Sequence, residues 1–195
     1  LTAYLNERYG ENHVTQVYGK YAENLEALVA TADKNTDFSA SFRKVAAYVA
    51  EEKPDIVTVQ YGEYLFASDS VAYENALTAL VKEIRKGAPD AVIVLTTPFG
   101  AKRTSDAYSG AQRAAEALGL PLADLSAAAK DGLAAEASHT GVAKHPNDTG
   151  MAAMAKILFT ALNADLTAKD RDSYALLPES LTVADTVSIT ENEGT

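Results

Sequence analysis

Apolar residues recur along this chain in two periods, one of about two and one of about 3.6, and their succession predicts alternating strands and helices. Leu1 to Gly10 places apolar residues at 1, 4, 5 and 9 ahead of a glycine, the pattern of a short helix closed by a C-cap. His13 to Tyr18 alternates through β-branched residues and stops at Gly19, which predicts a strand and a turn. Tyr21 to Ala32 reads as a helix through Leu25, Leu28 and Val29. Ser39 to Glu52 reads as a second one, with Phe42, Val45, Ala46 and Val49 on one face.

Lys53-Pro54-Asp55 breaks that helix. The nearly continuous apolar run Ile56-Val57-Thr58-Val59-Gln60, bounded by Gly62, predicts a central parallel strand buried on both faces. Ser70 to Lys86 is a helix with Leu77, Leu80, Val81 and Ile84 inward. Ala91 to Leu95 is the next buried strand, Ala107 to Leu118 a helix closing at Gly119, and Pro121 to Leu125 a weaker strand. Ala127 to Ala137 fits either a helix or a loop. The last helix starts after His145-Pro146, with Asn147 or Asp148 as N-cap and Met151, Met154, Ile157 and Leu158 as one buried face.

Strands alternating with helices imply an α/β domain with a mainly parallel sheet and right-handed crossovers. From Asp165 the pattern changes. Leu166 to Leu177 is mixed and charged, and Pro178 opens a Thr/Val-rich segment of strand type, Ser180 to Thr190. The expected organisation is one domain over residues 1–165 and a tail over 166–195.

Composition narrows the function classes. With 195 residues and 47% hydrophobic content the chain suits a single sizeable core. A net charge of −10 argues against nucleic acid and anionic membranes as partners, since acidic surfaces repel phosphate. There is no cysteine, so disulfides and thiolate chemistry are excluded. No apolar run approaches the ~20 residues of a membrane span, and no leader pattern opens the chain. The three histidines, His13, His139 and His145, have no carboxylate at a metal-ligand spacing, and no phosphate-binding glycine loop occurs. Neither a metal nor a cofactor is expected.

In an open parallel sheet, ligands meet the loops at the carboxyl ends of the strands. Here those loops begin at Gly19, at Gly62-Glu63-Tyr64, at Thr96-Thr97-Pro98-Phe99-Gly100 and near Asp124, and His145 arrives on a later loop that reaches the same rim. Taken singly, each glycine serves a turn and His145 is a loop histidine; their joint placement is what points to a site. The chain is rich in tyrosine, and Tyr18, Tyr61 and Tyr64 lie near the expected rim, where they suit stacking on a sugar.

Two blocks resemble the GDSL/SGNH hydrolases. Lys53-Pro54-Asp55-Ile56-Val57-Thr58-Val59-Gln60-Tyr61-Gly62-Glu63 is similar to the family's third block, and His145-Pro146-Asn147-Asp148-Thr149-Gly150-Met151 to its last, which carries the catalytic histidine. Gly19 falls where the second-block glycine stands. The resemblance covers roughly residues 1 to 165. It implies a flavodoxin-like three-layer α/β/α sandwich and hydrolysis of an O-acyl ester, often an acetyl group on a carbohydrate. By match His145 would be the general base and Gly19 an oxyanion donor, while Gly62 and Tyr64 would lie against the substrate.

The chain departs from that family at three places. No Gly-Asp-Ser occurs, Tyr64 stands at the asparagine position, and Val142 occupies the place of the aspartate three residues before the histidine. The nucleophile is then expected upstream of Leu1, or, if the chain is circularly permuted, at Ser188 or Thr186 in the strand-like tail. The tail Leu177 to Val183 equally resembles the first strand of a bacterial Ig-like repeat. Two readings follow, an ester hydrolase or a non-catalytic module of the same shape that binds a glycan or a protein. The acidic, cysteine-free composition and the Ig-like tail favour an extracytoplasmic bacterial setting.

Overall fold

Four consecutive apolar residues ahead of Thr96 decide where the core sits. In the computed structural model, which describes residues 1–10, 39–61, 69–130 and 145–175, Val92–Thr96 (β2) is buried along its whole length. A strand so rich in β-branched side chains offers no face to water. It takes the middle of a three-stranded parallel sheet, between Ile56–Val59 (β1) and Leu122–Ala123 (β3). Val57 pairs with Ile93 and Val59 with Leu95, and on the other side Leu95 pairs with Leu122 and Thr96 with Ala123. The expectation of burial on both faces at Ile56 to Gln60 is corrected, since Thr58 is exposed; among the described residues β1 pairs with β2 alone.

Helices cover both faces, as the two-residue period of a strand requires when all its side chains are apolar. Ile93 and Leu95 face a cluster that includes Val49 of Ser39–Glu52 (α2), Tyr73, Leu77, Leu80, Val81 and Ile84 of Ser70–Gly87 (α3), and Ala111, Ala114 and Ala115 of Asp106–Leu118 (α4). Val92 and Val94 face a second cluster, formed with Leu5 of Thr2–Tyr9 (α1) and with Met154, Leu162 and Leu166 of Asp148–Ala175 (α5). On that side Tyr4 of α1 stacks on Phe159 of α5 with ring centroids 5.2 Å apart. No helix among the described residues is long and apolar enough to cross a membrane.

Local chemistry sets the helix ends. Asp69 caps α3, its Oδ1 accepting from the amides of Val71 and Ala72, both at 3.0 Å. Ser105 caps α4 through the Tyr108 amide, and Gly119 ends it with φ 62, a left-handed conformation in which glycine has no Cβ to clash. The alanine-rich α4 lies close against α3: a Cβ on Gly110 would stand 2.7 Å from the Ser70 carbonyl oxygen and 2.8 Å from the Tyr73 ring.

The last helix extends beyond the apolar pattern that announces it. α5 continues through Asp165 to Ala175, and Leu166, just past the expected change of pattern, is 2% exposed in the second cluster. Its buried stripe is Met154, Leu162 and Leu166, with Leu158 half-buried between them. Met151, expected on the same face, is 55% exposed. Met151 shares the angular position of the stripe but belongs to the first turn, where no described apolar side chain closes over it. The strand expected at His13 to Tyr18, the helix at Tyr21 to Ala32, most of Ala127 to Ala137 and the strand-like tail lie outside the described residues.

Candidate functional site

Lys169 fixes the direction of α5, and with it the place of His145. Its Nζ donates to Asp55 Oδ1 at 3.2 Å and to the Asp90 carbonyl oxygen at 3.3 Å, two residues that stand just ahead of β1 and β2. The end of α5 near Lys169 therefore lies at the amino edge of the sheet. The helix rises about 31 Å from Asp148 to Lys169 at 1.5 Å per residue, whereas Asp90 to Thr97 spans about 23 Å of extended chain. The first turn of α5, and His145 ahead of it, accordingly stands at the carboxyl edge. α5 also packs there on the 3-10 helix Leu125–Ala129 that follows β3.

His145 is exposed, and none of the hydrogen bonds or ion pairs among the described residues involves it. The backbone two residues on is fixed by the cap: Asn147 Oδ1 accepts the Gly150 amide at 2.8 Å, and the Asn147 carbonyl accepts the Met151 amide at 2.8 Å. Of the two N-cap possibilities Asn147 is the one used. Asp148 becomes the first helical residue, where its charge complements the helix dipole. Pro146 between histidine and cap restricts the remaining backbone freedom. The imidazole thus stands two residues ahead of a capped helix, in an exposed position.

The other sequence candidates, Gly19, Gly62 and Tyr64, lie outside the described residues, as do Val142, Thr186 and Ser188. Tyr61 is half-buried and packs against the first core cluster, so its ring serves the core as well as the rim.

A carboxylate that the sequence marks only as a loop position organises the rim. Asp124 follows β3, and its Oδ1 accepts from the Ser126 hydroxyl at 2.5 Å, the Ser126 amide at 3.1 Å and the Thr97 hydroxyl at 3.1 Å. Its Oδ2 accepts from the Tyr108 hydroxyl at 3.0 Å and from Arg103 Nη2 at 3.3 Å. Burial pushes the Asp124 pKa upward, but the donors from Ser126, Tyr108 and Thr97 outweigh it and hold the carboxyl below its ordinary range. For Tyr108, burial raises the pKa, and the hydrogen bond and negative charge of Asp124 raise it further against a smaller opposing effect of Arg103. Five donors fill what two carboxylate oxygens accept. Asp124 therefore bolts the loop after β2, the first turn of α4 and the 3-10 helix together, with no lone pair left to steady an imidazole.

Only part of this cluster had a local signal. Asp-x-Ser after a short strand is the pattern of a side-chain cap, which Asp124 is for the 3-10 helix. Thr97 and Tyr108 reach it from 27 and 16 residues away. Thr96, one residue before Thr97, points to the opposite face with Val92 and Val94, and among the described residues its Oγ1 is buried without a hydrogen-bond partner. Among the described residues no three His, Asp or Glu side chains gather as a metal-ligand set. Compared with protein-family models and with curated proteins, the chain finds no match.

Proposed function

We propose that this chain is a GDSL/SGNH-like hydrolase of O-acyl esters, with acetylated carbohydrates as the substrate class and His145 as general base. The observation that carries the proposal is the placing of His145, exposed at the carboxyl edge of a parallel sheet and two residues ahead of the Asn147 cap. Helices on both faces of a parallel sheet support the flavodoxin-like three-layer arrangement that this family uses. A solvent-open imidazole can take a proton from an attacking hydroxyl, and such a base contributes about 10²–10⁴ in rate. Gly19 as oxyanion donor, and Gly62 and Tyr64 against the substrate, belong to the same proposal.

The test is turnover of p-nitrophenyl acetate by the purified chain and by His145→Ala. A fall in turnover of about 10²–10⁴ in the variant is the expected result, and unchanged turnover overturns the assignment. A second reading has its own observation: Val142 replaces the orienting aspartate and Asp124 is fully engaged elsewhere. Absence of turnover together with retained binding to a glycan array favours that reading, a non-catalytic glycan- or protein-binding module.

A further inference from the structure

The loop leaving β2 carries two adjacent cations, Lys102 and Arg103, both exposed on the carboxyl edge where His145 also stands. Arg103 is held by one contact, Nη2 to Asp124 Oδ2 at 3.3 Å, and its side chain is 75% exposed. Asp124 does not depend on that contact, because Thr97, Tyr108 and Ser126 already supply shorter hydrogen bonds. An exposed pair of this length adds little stability. What it does is set the position of the guanidinium, whose planar fork keeps donors available for a second, bidentate acceptor.

The surrounding charge makes this position informative. In a chain of net charge −10 an anionic ligand is repelled on average, and the adjacent cations Lys102 and Arg103 offset that repulsion on the loop after β2. We propose that Arg103 docks a carboxylate of the substrate, so that the esters taken here are acidic, with the carboxylate on either the acyl or the alcohol part; this rests on the ester-hydrolase reading. Lys102 adds a second positive charge beside it, and the single contact with Asp124 leaves the guanidinium's other donors for an incoming carboxylate.

Two measurements test this, one of which needs no turnover. In the first, kcat/KM is compared for p-nitrophenyl hemisuccinate against p-nitrophenyl acetate, and acetate release for O-acetylated galacturonate against O-acetylated galactose, in wild type and Arg103→Gln. Because Arg103 is exposed, the variant keeps the fold. The charged-to-neutral ratio should fall about tenfold in the variant for one of the two pairs, as expected for loss of one charge-assisted hydrogen bond, while the neutral ester changes less than about twofold. The pair that responds shows which part of the ester bears the carboxylate; a ratio unchanged in both pairs overturns the proposal.

In the second, the Arg103 Nε–Hε resonance is followed while succinate or uncharged succinamide is added. A shift with succinate alone, weakened by 0.5 M salt, supports docking, and no shift overturns it. If no ester is turned over, the hydrolase reading fails and this titration alone decides whether Arg103 takes a carboxylate.

Discussion

Tyr108 donates a 3.0 Å hydrogen bond to Asp124 Oδ2 and so ties the first turn of α4 to the end of β3. Tyr108→Phe leaves the ring and removes the donor, and should lower stability at neutral pH by about 1.5–3 kcal/mol, the range for a hydrogen bond to a charged group. The sign with pH follows from the raised Tyr108 pKa. A group held protonated by the fold contributes fully below its unfolded value, about 10, and the contribution is lost as pH rises through the folded value. Urea midpoints of wild type and variant should therefore converge above pH 10; divergence there contradicts the assigned bond.

At the acid end the same cluster behaves oppositely. The Asp124 pKa is depressed, so its contribution is complete above the ordinary aspartate value of about 3.9 and disappears as pH falls through the folded value. Asp124→Asn should be destabilised at pH 6, and the difference from wild type should shrink below pH 4. A difference independent of pH would mean that the hydrogen-bonding geometry of the substituted amide, and not the lost charge, is responsible.

Thr96 offers a substitution expected to stabilise. Among the described residues its Oγ1 is buried with no hydrogen-bond partner, on the face of β2 that carries Val92 and Val94. Thr96→Val keeps the shape and removes a desolvated hydroxyl, and should raise stability by about 1 kcal/mol or more. Thermal and urea denaturation measure it. A loss of stability would show that the hydroxyl makes a hydrogen bond in solution.

How far the chain can be read before folding depends on the range of the interaction. Ile93 and Leu95 on one face and Val92 and Val94 on the other follow from a buried run of β-branched residues. The ends of α3 and α4 follow from Asp69, Ser105 and Gly119, because caps are local chemistry. The ranking of strands did not follow. Ile56 to Val59 and Val92 to Thr96 are similarly apolar, and only the fold shows that β2 is buried along its whole length while Thr58 of β1 is exposed. At the site, His145 was legible because Pro146 and Asn147 adjoin it. The Asp124 cluster was not, since its donors converge from three segments with no shared period.

Leu166 shows the same limit and yields a prediction. Charged neighbours around Asp165 obscure the helical period, yet Leu166 is 2% exposed and packs in the cluster that holds α5 to the sheet. Leu166→Ala should cost about 2–4 kcal/mol, as for other large-to-small core changes. A chemical denaturation curve with a change below about 0.5 kcal/mol would place this part of α5 off the core.

His145 and Asn147 lie two residues apart and should respond in opposite ways to the same pair of measurements. His145 is exposed, so His145→Ala should leave stability within about 0.5 kcal/mol of wild type. Ester turnover should nonetheless fall by about 10²–10⁴ if the imidazole is the general base. Asn147→Ala removes the oxygen that accepts the Gly150 amide at 2.8 Å, and the lost cap should cost about 1 kcal/mol. The base itself remains, on a loosened mount, so turnover should fall by less than in His145→Ala, with kcat affected more than KM because orientation, not binding, is disturbed. Circular-dichroism melts and p-nitrophenyl acetate kinetics on the two variants separate these effects. If Asn147→Ala lowers the melting temperature without touching kcat, the cap serves the helix alone and the histidine's orientation is set elsewhere.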